Sequence, residues 1–137
     1  MTNSRNKGAG FERQIAKELF LLTGVNFKRD LEQYRSADHG DLLADDPDWP
    51  FVIECKAYAV GRTCREAWKK QATAAAVSVG KMPCVIYKFD RVPVRVAMPW
   101  VALSKALGVA VGPDDWFECS LEGLAFVAAE IMAVQAQ

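Results

Sequence analysis

The chain has 137 residues, 51% of them hydrophobic and 25% charged, with a formal net charge of zero. That suits one domain with a real core and argues against wholesale disorder. No run approaches the roughly 20 apolar residues of a membrane helix. Residues 1–10 lack the apolar core of a secretory signal, so a cytoplasmic protein without membrane contact is expected. The charges are uneven: residues 1–95 hold 16 Lys and Arg against 12 Asp and Glu, and residues 96–137 hold 1 against 5. A neutral total therefore leaves nucleic acid open, because phosphates respond to local patches. The four cysteines (Cys55, Cys64, Cys84, Cys119) form no CxxC pair and only one histidine, His39, accompanies them. Reduced thiols are expected rather than a zinc site or a disulfide framework.

Residues 2–10 read as a polar, basic, flexible arm carrying Arg5 and Lys7. A helix is predicted over residues 11–22, with Phe11, Ile15, Leu19 and Leu22 as its apolar stripe and Gly24 as its stop. Residues 25–31 predict a strand, 36–40 a loop and 41–44 a short strand. Asp45-Asp46-Pro47-Asp48 is turn chemistry, and residues 51–56 carry the best strand signal in the chain. The two strands around that turn predict a hairpin with a long loop. A helix follows over 63–79, ending at Gly80, then strands over 83–89 and 92–98 and a short helix over 100–107. Ser120 caps a last helix reaching about residue 134, with Glu122 in its first turn. The order α-β-β-β-α-β-β-α-α predicts an α/β domain, a central mixed sheet flanked by helices. Residues 1–98 make its core. Residues 99–137 are expected to be a C-terminal helical extension of the same domain, serving packing or dimerisation.

The chemistry is concentrated around residue 54. Side chains alternate along a strand, so Phe51, Ile53 and Cys55 share one face and Val52, Glu54 and Lys56 the other. A carboxylate and an ammonium on one face of an apolar strand are costly to bury unless they pair or bind something. Across the hairpin, Asp41 can lie beside Glu54, and two adjacent carboxylates suit a hard divalent cation, Mg²⁺ or Mn²⁺. Lys56 beside such an ion can orient or deprotonate a water and stabilise charge on a phosphate. The competing reading makes Asp41 a turn cap and Glu54–Lys56 a solvent-facing pair on an edge strand. Glu12 sits about 100° off the Phe11–Ile15–Leu19 stripe, beside the core face. It can equally be a favourable acid in a first helical turn. Gln71, on the helix following Lys56 and flanked by Lys69 and Lys70, could hold a water or a phosphate from the sheet-facing edge, or be an ordinary exposed glutamine.

Taken together, Arg5-Asn6-Lys7-Gly8-x-x-Phe11-Glu12-Arg13, Gly40-Asp41 and Ile53-Glu54-Cys55-Lys56 resemble the PD-(D/E)xK nuclease superfamily. The closest likeness is to archaeal-type Holliday junction resolvases and their phage relatives. The resemblance spans about residues 5–98, with Gly40 standing where the motif name has proline. It implies a restriction-endonuclease-like core and Mg²⁺-dependent hydrolysis of DNA, in the host cytoplasm if phage-encoded. Asp41 and Glu54 match the metal-binding carboxylates, Lys56 the catalytic lysine, and Glu12 the helix-one acid that assists metal or water binding. Cys55 would offer its backbone carbonyl to the metal. A homodimer cutting symmetric strands of a four-way junction is implied as well.

Candidate DNA contacts are Arg5, Lys7 and Arg13 near the N-terminus, Lys28 and Arg29 before the Asp41 loop, and Arg62, Arg65, Lys69, Lys70 and Gln71 after Lys56. Such residues position a phosphate backbone without reading sequence, and Arg29 is the strongest of them. Trp49, Trp68, Trp100 and Trp116 read mostly as packing, though base stacking is open to them. His39 is a second candidate base, with Lys56 already in that role. Two alternatives remain: a related nuclease acting on duplex or flap DNA, and a nuclease-like module that binds DNA or protein without cutting.

Overall fold

The computed structural model describes residues 4–31, 40–109 and 115–137, with side chains from residue 7 onward. Helix α1 (Ser4–Thr23) leads into strands β1 (Phe27–Arg29), β2 (Leu42–Ala44) and β3 (Phe51–Tyr58). Helix α2 (Glu66–Val79) then crosses to β4 (Met82–Phe89), followed by β5 (Arg95–Pro99), α3 (Trp100–Leu107), β6 (Trp116–Cys119) and α4 (Leu121–Gln135). One six-stranded sheet has the order β1-β2-β3-β4-β5-β6. Among the described residues only β3 and β4 run parallel, and α2 is the crossover that parallel pairing requires. The sheet is therefore mixed and the domain α/β, as the element pattern predicts.

The helices divide between the two faces of the sheet. Phe11, Ile15 and Leu19 of α1 and Leu124, Val127 and Ile131 of α4 bury against Phe51, Ile53, Cys84, Ile86, Val96 and Met98. Trp68 and Ala72 of α2 bury against Val85, Tyr87, Phe89 and Ala97 on the other face, while Ala75 and Ala76 cover Val52. The first four residues of β3 are consequently buried from both sides.

Three expectations need correction. The basic arm is not a flexible leader from residue 4 on, because α1 already begins at Ser4 and continues unbroken past Gly8 and Gly10. The stripe of α1 ends at Leu19, and Leu22 is 42% exposed because the helix runs past the sheet it covers. The segment after residue 98 is not purely helical: Trp116–Cys119 pairs antiparallel with β5 and closes the sheet edge. Its last helix belongs to the same core as α1, with Ser120 accepting a capping bond from the Gly123 amide. Leu124 is fully buried there. Leu124→Ala should cost about 2–5 kcal/mol, read as a lowered urea midpoint, because a core leucine leaves both lost burial and a cavity. An unchanged midpoint would make α4 a dispensable appendage.

Candidate active site

The seam between β2 and β3 brings the two carboxylates together. Leu42 pairs with Ile53, and Asp41, just before β2, is held against the Ile53–Cys55 stretch that carries Glu54. The Asp41 amide donates to the Ile53 carbonyl at 2.7 Å, and the Cys55 amide donates to Asp41 Oδ2 at 2.6 Å. Asp41 is 7% exposed and Glu54 1%. Gly40 makes this approach possible. Its φ is +72°, and a Cβ there would fall 2.5 Å from the Ile53 carbonyl oxygen. The glycine before the aspartate is thus a backbone requirement, since side chains disfavour positive φ and the seam has no room for one.

The other candidates close on this seam from both sides. Glu12 of α1 is half-buried and accepts from Arg29 Nε of β1 at 2.8 Å. Burial raises its carboxyl above the usual range; Arg29 opposes that rise and the Asp41 charge adds to it. Glu12 and Asp41 therefore lie near enough to repel. On the α2 side, Lys56 Nζ donates to Gln71 Oε1 at 2.8 Å. Burial pushes the Cys55 thiol well above its ordinary pKa, helped by Asp41 and Glu12. A protonated thiol is a poor metal ligand, so the donors at this seam are oxygens. Its backbone carbonyl opens on the same side of β3 as its amide, towards Asp41. Two carboxylates plus a carbonyl are hard donors suited to Mg²⁺. Among the described residues no three His, Cys, Asp or Glu side chains gather at metal-ligand spacing, so Glu12, Asp41 and Glu54 are not drawn together as one ligand set.

The remaining sequence candidates scatter. Arg29, the strongest expected DNA contact, is engaged by Glu12, which makes it an orienter of that acid. Lys7 pairs with Asp90 at 2.7 Å, tying α1 to the end of β4. Lys69 reaches Glu66 at 3.3 Å and lies 5.7 Å from the Trp116 ring. With Lys70 it lines a groove of 530 Å³ on the β6 flank of α2, away from Lys56. Arg13, Lys28 and Arg62 are exposed. Trp49 and Trp68 are core residues, and Trp100 packs on Phe117. His39 and the Arg5 side chain lie outside the described residues. Sequence reasoning missed the Glu12–Arg29 and Lys56–Gln71 pairs, although both helix positions had been marked.

The raised carboxyl of Glu12 has a consequence for stability. Ionising a carboxyl whose folded pKa is raised costs the folded state. That cost is absent below the unfolded pKa, grows as pH rises towards the folded value, and is constant above it. Glu12→Gln should therefore gain stability relative to wild type at about pH 8 but not at about pH 4, with metal chelated throughout. Urea unfolding at the two pH values measures this, and an equal difference at both would show that Glu12 ionises freely.

Residues 3–113 match the family described as phage putative PDDEXK endonuclease. No curated protein sequence matches the chain. Among solved structures, Hjc from Archaeoglobus fulgidus, a Holliday junction resolvase from an archaeal hyperthermophile, is similar at a TM-score of 0.51. That similarity covers 96% of this chain and 97% of that chain at 20% sequence identity. The likeness identifies the sheet and its helices as a restriction-endonuclease-like fold. With the family profile spanning most of its length, the chain belongs to the phage PDDEXK endonuclease family.

Proposed function

We propose that the chain is a Mg²⁺-dependent, structure-selective DNA endonuclease that resolves four-way junctions as a homodimer. The observation that carries the reading is the anchoring of Asp41 on the Ile53 carbonyl and the Cys55 amide, the two neighbours of buried Glu54, with Lys56 two residues beyond Glu54 on the same face of β3. Glu54 is buried and β3 is an interior strand, which is hard to explain for a solvent-facing Glu54–Lys56 pair on an edge strand. The similarity to a Holliday junction resolvase favours branched DNA over duplex.

Asp41, Glu54 and the Cys55 carbonyl would hold Mg²⁺, with Mn²⁺ as the alternative. When bound, the ion supplies a more acidic water and charge neutralisation at the phosphate. Lys56 contributes a cation held by a neutral amide, so its charge is not cancelled by its partner. One N–H is committed to Gln71 and two remain for a water and a phosphate oxygen. That equips it to orient the attacking oxygen and to stabilise charge developing on the phosphorane. Glu12, fixed by Arg29, faces the same seam and accepts a proton more readily than an exposed carboxylate, because burial raises its pKa. Junction resolution needs two symmetric cuts, and a homodimer provides two copies of the site.

A cleavage assay decides the reading. A four-way junction, matched duplex and flap DNA are incubated with Mg²⁺ or with EDTA. Paired symmetric nicks are expected in the junction alone, only with metal, and lost in Asp41→Asn and Glu54→Gln. Lys56→Ala should slow cleavage by about 10²–10⁴-fold, the usual contribution of a positioned acid–base group. Equal cutting of duplex and flap would replace the resolvase reading with a general nuclease. Junction binding without any cutting would make the chain a binding module.

A further inference from the structure

We propose that Tyr58 and Arg65 form a subsite for the DNA phosphate next to the one hydrolysed, with Arg65 as its ligand and Tyr58 as the platform holding Arg65; this rests on the nuclease reading above.

The period of two on β3 puts Tyr58 on the same face as Glu54 and Lys56. Two residues of strand advance roughly 6.6 Å, comparable to the step between neighbouring phosphates on one DNA strand. Helix α2 runs beside this row with its own. Arg65, Trp68 and Gln71 follow at spacings of three, which lines them along one side of a helix. The two rows meet pairwise. Gln71 holds Lys56. Trp68 stacks on Tyr58 with centroids 5.3 Å apart and planes 17° apart. The Arg65 guanidinium carbon lies 4.6 Å from the Tyr58 centroid and 4.9 Å from that of Trp68.

This arrangement fixes a cation without neutralising it. Trp68 is buried, so the stack is anchored in the core, while Tyr58 is 39% exposed and Arg65 is exposed. Arg65 forms no ion pair among the described residues, unlike Arg29, Lys7 and Lys69. A guanidinium lying on aromatic faces keeps its N–H edge for bidentate binding of an oxyanion. Arg65 also occupies the N-cap of α2 without making a side-chain capping bond, and Glu66, the acid in that first turn, pairs with Lys69 rather than with Arg65. The loop joining Tyr58 to Arg65 is closely held. A Cβ at Gly61 would fall 2.2 Å from Phe89 Cε1, and the Asp90 amide donates to the Tyr58 carbonyl at 3.2 Å. The anionic ligand that fits beyond Lys56 on this face is the next phosphodiester of the same strand.

The test uses the full chain carrying Glu54→Gln, so that DNA is bound and not cut. Anisotropy of a labelled four-way junction is followed in EDTA at several salt concentrations. Arg65→Ala should weaken binding about tenfold, the loss expected for one charge-assisted contact. It should also lower the slope of log affinity against log salt by about one. Tyr58→Ala should weaken binding less and leave the slope intact, because the charge remains. Arg65→Lys should keep the slope. In the cleaving protein, a neutral methylphosphonate beside the cut position should slow wild type and leave Arg65→Ala no slower than with ordinary DNA. Arg65→Gln, which keeps the stem over Tyr58, is read by the same criteria if the alanine variant does not fold. An unchanged salt slope in folded Arg65→Ala or Arg65→Gln overturns the subsite and leaves the nuclease reading standing. Absence of DNA binding by the parent overturns both.

Discussion

The burial of two carboxylates at one point of the β2–β3 seam is the constraint around which the rest of the chain is arranged. A carboxylate taken out of water is costly unless hydrogen bonds or an opposite charge replace its hydration. Asp41 meets part of that cost with the Cys55 amide, a group that lies beyond the last ladder bond of β2. The arrangement needs the chain before β2 to pass almost against β3, and Gly40 is the residue that permits it. The sheet, the glycine and the carboxylate are therefore one device. A shift of β2 by one residue would carry Asp41 away from the amide and expose the apolar face of Leu42.

The groups around the seam differ in the partners they take, and the difference bears on chemistry. Glu12 has a cationic partner, Arg29, which limits the rise of its pKa and holds its orientation. Lys56 has a neutral partner, Gln71, which orients the ammonium and leaves its charge whole. A structural lysine is normally neutralised by an acid, and a lysine fixed by an amide is better suited to a transient anion. Cys55 sits between them with its thiol held protonated by burial, so it adds no charge of its own. The polar groups thus sort into oxygen acceptors along the seam and one ammonium held by a neutral amide.

What could be read from the sequence was what local periodicity determines. The alternation in β3 assigned Glu54 and Lys56 to one face, and the Asp-Pro turn located the hairpin that brings Asp41 opposite. The buried stripe of α1 was legible as far as Leu19. Three features needed the folded chain. The start of α1 was obscured by Gly8 and Gly10, poor helix formers that the helix nonetheless runs through. Strand β6 is four residues long, too short for alternation to separate it from a loop. The pairing of Glu12 with Arg29 depends on β1 lying beside α1, and no spacing within either element reveals it. Signals that live within one element were readable, and those that live between elements were not.

The zero net charge and the acidic Asp45–Asp48 turn look unfavourable for a protein that holds DNA, but charge acts through position. That turn precedes β3, whereas Lys56, Tyr58 and Arg65 gather at its far end. From Phe51 to Lys56 the strand advances roughly 16 Å. The screening length at physiological salt is about 8 Å, so the turn's carboxylates contribute little at Lys56. Among the described residues, the charges along that part of the strand are Glu54, Lys56 and, over Tyr58, Arg65. With the divalent cation of the proposed reading offsetting Asp41 and Glu54, Lys56 and Arg65 would dominate the face a phosphate backbone would meet. A chain neutral in total can thus offer a positive track over the site, and its affinity for DNA should depend on the metal more steeply than a uniformly basic surface would.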